Sequence, residues 1–283
     1  MAGRMQLIKS VIQGMVLHTI SVYSWPSSLL KDLEKWIRNF LWSGDVNQRK
    51  LVTVAWHKVC TPFIEGGLGI RSLFKVNEAA SLKLSWELLN SDMQWAKFLR
   101  FRVHNGTKPI SYHIFSSVWS SVKHKLPEIY SNSSWQLGNG ELIKNLSDPW
   151  SGEPLMISLN IPQHLHTFLK AKVKHFIDNH AWNIPACLLL AYPDLHSLTA
   201  NITIPLRDNV DSLCWKHSHD GDLTMKDSYS FHCAGQQFNW SKKVWNIDIP
   251  PSKSMVVWRS LQNKLPTDEC LALRGTHKTF GIG

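Results

Sequence analysis

The stretch Ala55-Trp56-His57-Lys58-Val59-Cys60-Thr61-Pro62-Phe63-Ile64-Glu65-Gly66-Gly67-Leu68-Gly69-Ile70-Arg71-Ser72-Leu73 decides how the rest of the chain is read. Apolar residues at helical spacing flank it on both sides. Thr61-Pro62 ends one element, because proline has no amide hydrogen and disfavours helix in the residue before it. Glu65-Gly66-Gly67-Leu68-Gly69 then permits backbone conformations that other residues resist. Gly67-x-Gly69-x-x-Ser72 nearly spells a dinucleotide-binding loop. That loop needs a buried strand immediately before it, and Thr61-Pro62-Phe63-Ile64-Glu65 makes a poor one. The stretch is read as a tight connection between two helices.

Upstream, residues 4–24 have Leu7, Ile8, Val11, Ile12, Met15 and Val22 near one helical face, and Trp25-Pro26 breaks the pattern. Ser27 or Ser28 is placed to cap a second helix, on which Leu29, Leu33, Trp36, Ile37, Phe40 and Leu41 keep helical spacing. Downstream, Leu73, Val76, Ala80, Leu84 and Leu88 describe a helix over residues 71–90. Another runs from Asp92 to Val103, with Trp95, Phe98 and Leu99 inward and Lys97, Arg100 and Arg102 nearby. Aromatic rings beside cations suit single-stranded nucleic acid, while core plus a solvated basic face is the plainer account.

Composition sets the bounds. A chain of 283 residues that is 43% hydrophobic and 18% charged is long enough for a sizeable core and is not a disordered sequence. Residues 1–110 hold 15 Lys and Arg against 7 Asp and Glu, a net +8, and residues 111–283 hold 16 against 14, a net +2. A basic half favours a polyanionic partner, nucleic acid before membrane. Cys60, Cys187, Cys214, Cys233 and Cys270 are odd in number and scattered, which fits reduced intracellular thiols. Five Asn-x-Ser/Thr sequons, at Asn105, Asn132, Asn145, Asn201 and Asn239, point the other way. The opening apolar run from Val11 to Val22 is interrupted by Gln13 and His18 and is too short and polar to span a bilayer. An intracellular chain with no membrane partner is expected.

Residues 105–161, rich in Gly, Pro and Ser, read as a linker with short elements. Gly138-Asn139-Gly140 there suits a turn between strands at Trp135–Leu137 and Glu141–Ile143. Pro162 is placed to start a helix with Leu165, Phe168, Leu169, Val173, Phe176 and Ile177 on its apolar side. From Leu213 the pattern changes to strands, with Leu213–Trp215 and Leu223–Met225 flanking an Asp220-Gly221 turn. Cys214, His217, His219, His232 and Cys233 invite a zinc reading, but adjacent His232 and Cys233 are awkward ligands for one tetrahedral ion. No metal and no cofactor are expected. The fold class expected is mainly α with small β hairpins, in three segments: 1–104, 105–205 and 206–283.

Several blocks carry a family resemblance in one order along the chain. Ala2-Gly3-Arg4-Met5-Gln6-Leu7-Ile8-Lys9-Ser10-Val11, Phe40-Leu41-Trp42, and Trp56, Cys60, Pro62 with Glu65 to Arg71 resemble the thumb region of plant LINE-type (non-LTR) retrotransposon reverse transcriptases. The family often has Lys where this chain has Phe63. Trp135-Gln136-Leu137-Gly138-Asn139-Gly140 and Asp148-Pro149-Trp150 resemble a later block. Trp215, Gly221 to Tyr229, Trp245, Pro250 to Lys253, Trp258-Arg259, Leu265-Pro266-Thr267 and Arg274-Gly275 resemble its reverse-transcriptase zinc-binding-type domain.

The resemblance implies a parent that is an RNA-directed DNA polymerase. Its palm, upstream of the thumb, carries two adjacent aspartates that hold Mg²⁺ ions. No Asp-Asp pair occurs here, and the family's Cys-x-x-Cys is also missing. The expectation is therefore a non-enzymatic, truncated relative, to which the family's ribonuclease H-like label attaches by descent. It would bind RNA or DNA weakly and without sequence preference through Lys97, Arg100, Arg102, Lys9 and Arg71. A protein-interaction module built on the Trp-rich helices, or a gene fragment with no retained function, is the alternative.

Overall fold

Helices dominate the computed structural model, which describes residues 1–49, 54–105, 108–109, 114–162, 164, 170–200, 202–206, 209–233 and 235–265. Strands among the described residues form small two-stranded antiparallel pairings. The fold is mainly α with small β pairings, as the sequence implies. Two units are distinguished, Met1–Ala80 together with Tyr229–Gly283, and Ser81–Ser228.

In the first unit the opening helix runs as α1 (Ala2–Leu7), a π-helical turn over Ile8–Ile12, and α2 (Gln13–Ile20). The wider π turn rotates the faces before and after it relative to one another. Met5, Ile8 and Ile20 are buried, whereas Leu7, Val11, Met15 and Val22 are exposed despite their place on the apolar face read from the sequence. α3 (Ser27–Ser43) has Pro26 at its N-cap and no side-chain cap, so neither serine caps it. Gly44, at φ 92°, closes its C-terminus. Arg4 Nη1 donates to the carbonyls of Phe40 and Leu41 at 3.3 and 3.1 Å, a cation at the negative end of the helix dipole.

The glycine-rich joint connects α4 (Trp56–Val59) and a 3₁₀ turn (Phe63–Glu65) to α5 (Leu73–Asn90). A Cβ on Gly67 would lie 2.2 Å from the Thr61 carbonyl oxygen, so the glycine serves close backbone approach. The Glu34 carboxylate pins the far end. It accepts from Trp56 Nε1 at 3.0 Å, Ser72 Oγ at 2.9 Å and the Leu73 amide at 2.8 Å, placing negative charge at the N-terminus of α5. The C-terminal part of the unit closes over the joint. The Phe238 amide donates to the Ile64 carbonyl at 2.9 Å, and Trp258 Nε1 donates to the Gly66 carbonyl at 2.7 Å. The resemblance block Arg274-Gly275 lies outside the described residues.

In the second unit, α6 (Gln94–Val103) and α7 (Ser117–Lys123) meet around Leu88, Leu99, Val103, Trp119, Val122 and Leu126. Ser116 Oγ caps α7 by accepting from the Trp119 amide at 3.2 Å. After a short pairing of β1 (His104–Asn105) with β2 (Lys108–Pro109) and helix α8 (Leu126–Asn132), β3 (Ser133–Gln136) begins.

Two expected hairpins are replaced by one long-range pairing. β3 pairs antiparallel with a strand over Ser212–Trp215, with Ser133 opposite Trp215 and Gln136 opposite Ser212. Each local hairpin loses to a polar side chain. The amides of Gly138, Gly140 and Leu142 all donate to the buried Asp211 carboxylate, at 2.7, 2.8 and 2.7 Å, so the loop wraps an anion instead of reversing into a strand. At the other site the Asp227 amide donates to Thr224 Oγ1 at 3.1 Å, and the Thr224 amide donates back to Asp227 Oδ2 at 3.3 Å. That reciprocal cap starts a helix, Met225–Phe231, where a strand was expected.

The expected helix from Pro162 to Ile177 also differs. Val173–Phe176 is a 3₁₀ turn, and Ile177–Asp178 pairs antiparallel with Ala181–Trp182; residues 163 and 165–169 lie outside the described set. Val173 instead joins a second core with Ile143, Leu146, Trp150, Leu155, Ile161 and Leu195.

Candidate nucleic-acid interface

The five basic residues singled out from the sequence divide between the units. Lys9 and Arg71 belong to the first, and Lys97, Arg100 and Arg102 to the second. Lys9 lies in the π turn with its Nζ 3.9 Å from the centre of the Phe63 ring, and burial pulls its pKa down to about 8. Arg71 is exposed; its guanidinium carbon is 6.0 Å from the Tyr229 ring centre, and its backbone carbonyl accepts from Gln13 Nε2 at 2.7 Å.

The three cations of α6 have different surroundings. Arg100 is half-buried, and its Nη1 donates to the carbonyls of Leu88 and Leu89, at 2.7 and 3.1 Å, in the last turn of α5. It repeats at α5 what Arg4 does at α3. Lys97 is exposed and pairs with Asp92 at 3.3 Å, in the open, where such a pair contributes little. Arg102 is exposed, with its guanidinium carbon 5.6 Å from the Phe98 ring centre.

Helical periodicity explains the division. Ala96, Leu99 and Val103 are buried on one side of α6, which leaves Lys97, Phe98, Phe101 and Arg102, at i, i+1, i+4 and i+5, facing outward. Phe98, expected inward, is 61% exposed, and Phe101 is 86% exposed. Reading Trp95, Phe98 and Leu99 together as the inward set overlooked Ala96 and Val103, whose three- and four-residue offsets from Leu99 define the buried stripe.

Charge follows the units closely. Met1–Ala80 with Tyr229–Gly283 carry 17 Lys and Arg against 8 Asp and Glu, a net +9, and Ser81–Ser228 carry 14 against 13, a net +1. α6 is thus a local cationic face within a nearly neutral unit.

The His and Cys residues considered for zinc are also divided. Cys214 Sγ is 3.6 Å from Gln136 Oε1, and His217 Nε2 is 2.8 Å from Asn132 Oδ1, both in the second unit, whereas His232 and Cys233 belong to the first. Among the described residues no three His, Cys, Asp or Glu side chains gather as metal ligands. No helix among them is long and apolar enough to cross a membrane.

The sequence is similar to a putative ribonuclease H protein of Arabidopsis thaliana, with 27% identity over 285 residues covering 95% of this chain and 46% of that protein. It is also similar to an uncharacterized mitochondrial protein of Arabidopsis thaliana, with 28% identity over 145 residues covering 47% of this chain and 90% of that protein. The chain thus spans about half the length of the first relative. No family model matches it, and no solved structure does. Together with the ordered sequence blocks, the two relatives support a retroelement-related origin.

Proposed function

We propose that the chain is a non-catalytic part of a LINE-type reverse transcriptase lineage, comprising a thumb-like helical region and a zinc-binding-type segment. Its activity is weak, sequence-tolerant binding of nucleic acid. The observation that carries the reading is the outward face of α6, where Lys97 and Arg102 stand open to solvent beside exposed rings. Cations on an open face contact phosphates without reading bases. Arg100 serves the fold, holding the end of α5. Polymerase chemistry is left out because the 283 residues hold no Asp-Asp pair. Ribonuclease H chemistry is not carried over from the Arabidopsis relative, since the chain spans about half of that protein's length.

The test is fluorescence anisotropy of the full chain with labelled single-stranded RNAs of unrelated sequence across a salt series. The double substitution Lys97→Gln and Arg102→Gln removes two phosphate contacts. It lowers the slope of log affinity against log salt by roughly 1.4, equally for each sequence. Arg100→Gln lowers thermal stability instead. A parental slope in the double variant, or binding indifferent to salt, would favour docking of a protein partner.

A further inference from the structure

Phe98 and Phe101 do not belong to either core of the second unit, and at 61% and 86% exposure they leave most of their ring area in water. They are spaced i, i+3 on the outward face of α6, with Lys97 and Arg102 on the residues flanking the pair. Arg102 already lies against the Phe98 ring. Charge alone binds single and double strands alike, but an exposed ring offers something only a single strand can use. An unpaired base has a free face to stack on the ring, whereas a duplex base is stacked above and below. We propose that the α6 face selects single-stranded over double-stranded nucleic acid by stacking bases on Phe98 and Phe101, while Lys97 and Arg102 hold the adjoining phosphates. This rests on the nucleic-acid reading above and adds a discrimination which that reading does not require.

The occupant follows from charge complementarity. Apart from Asp92, which pairs with Lys97, the outward residues Lys97, Phe98, Phe101 and Arg102 carry positive charge and π surface only. An apolar protein partner would bury Arg102 with no acidic side chain against it and Lys97 with Asp92 alone, and a polyanion neutralises both cations. A protein partner would also accept leucine in place of either ring, since leucine preserves apolar bulk. A base does not, because stacking needs the flat π face.

The experiment compares the full-length parent with two variants, Phe98→Leu/Phe101→Leu and Lys97→Gln/Arg102→Gln. The probes are a 20-nucleotide single-stranded RNA, the same RNA as a duplex, and vesicles of phosphatidylcholine with phosphatidylserine, with circular dichroism as the check on folding. The leucine variant is expected to bind the single strand about tenfold more weakly, with duplex affinity and salt slope unchanged. The glutamine variant is expected to lose affinity for both RNAs and to flatten both slopes. If the leucine variant binds the single strand like the parent while the glutamine variant does not, base stacking is wrong and phosphate binding stands. If neither variant changes RNA binding, the nucleic-acid reading fails as well. Vesicle binding lost in the leucine variant, with no loss of RNA binding, would reassign the face to a membrane surface.

Discussion

Asp211→Ala is the most demanding test of how the second unit is built. The carboxylate is 5% exposed and accepts three backbone amides, from Gly138, Gly140 and Leu142, all between 2.7 and 2.8 Å. A hydrogen bond to a charged group contributes roughly 1.5–3 kcal/mol, and removing the acceptor leaves its donors desolvated with nothing to bind. Removing a buried carboxylate also relieves its own desolvation, which offsets part of the loss. The net expectation is a loss of about 3–5 kcal/mol. Asp211→Asn should cost less, about 1–3 kcal/mol, because the amide oxygen still serves one side of the loop while its NH₂ faces a donor. Urea unfolding followed by tryptophan fluorescence measures both. The alanine variant should lower the midpoint by about 1 M or more. Amide hydrogen exchange provides the local check, since protection at Gly138, Gly140 and Leu142 should fall together. An alanine variant within about 0.5 kcal/mol of the parent, with those amides still protected, would refute the account of the loop.

Gly14→Ala, in α2 where a Cβ meets nothing within 4 Å, should stabilise the chain by about 0.5–1 kcal/mol, whereas Gly67→Ala, whose Cβ would meet the Thr61 carbonyl at 2.2 Å, should destabilise it by about 2 kcal/mol or more; thermal unfolding of the two variants gives the comparison. Lys9 titrates at about 8 in the folded chain against its ordinary 10.5, so the unfolded chain holds more protons between those values, and stability should rise as pH climbs from about 8 towards 10.5. Lys9→Met should remove that rise, by on the order of 1 kcal/mol after allowance for solvent screening, as read from denaturation of parent and variant at pH 7 and pH 9.5.

What could be read in the sequence divides along physical lines. Helices such as α3 and α5 follow from a 3.6-residue repeat, which is local, and Pro26 and Gly44 mark the ends of α3. The pairing of β3 with Ser212–Trp215 is invisible to any local rule, because the partners are far apart in sequence and the Gly-Asn-Gly and Asp-Gly signals each point to a nearer neighbour. Asp211 overrules the first signal through a side chain whose aim depends on tertiary position, whereas the Thr224–Asp227 cap is a local Thr-x-x-Asp pattern that outcompetes the Asp-Gly turn beside it. The π turn at Ile8–Ile12 inserts a register shift that a fixed period cannot anticipate. At α6 the cations were legible, but their separate tasks were not. Arg100 reaches carbonyls on α5, and nothing in residues 92–103 says that another helix ends there.

The division of the first unit into Met1–Ala80 and Tyr229–Gly283 has a consequence for the order of synthesis. The ribosome must deliver Ser81–Ser228 before the first helices can meet the segment that closes over the glycine-rich joint. At about 5–20 residues per second that interval lasts roughly 7–30 s. The contiguous unit can fold during it, while the joint, lacking the indole of Trp258 on Gly66 and the Phe238 amide on Ile64, waits with its carbonyls in water. A nascent chain stalled in that interval presents a finished second unit and an open first one. Its opening helices are then exposed to chaperones and proteases longer than any other part of the sequence.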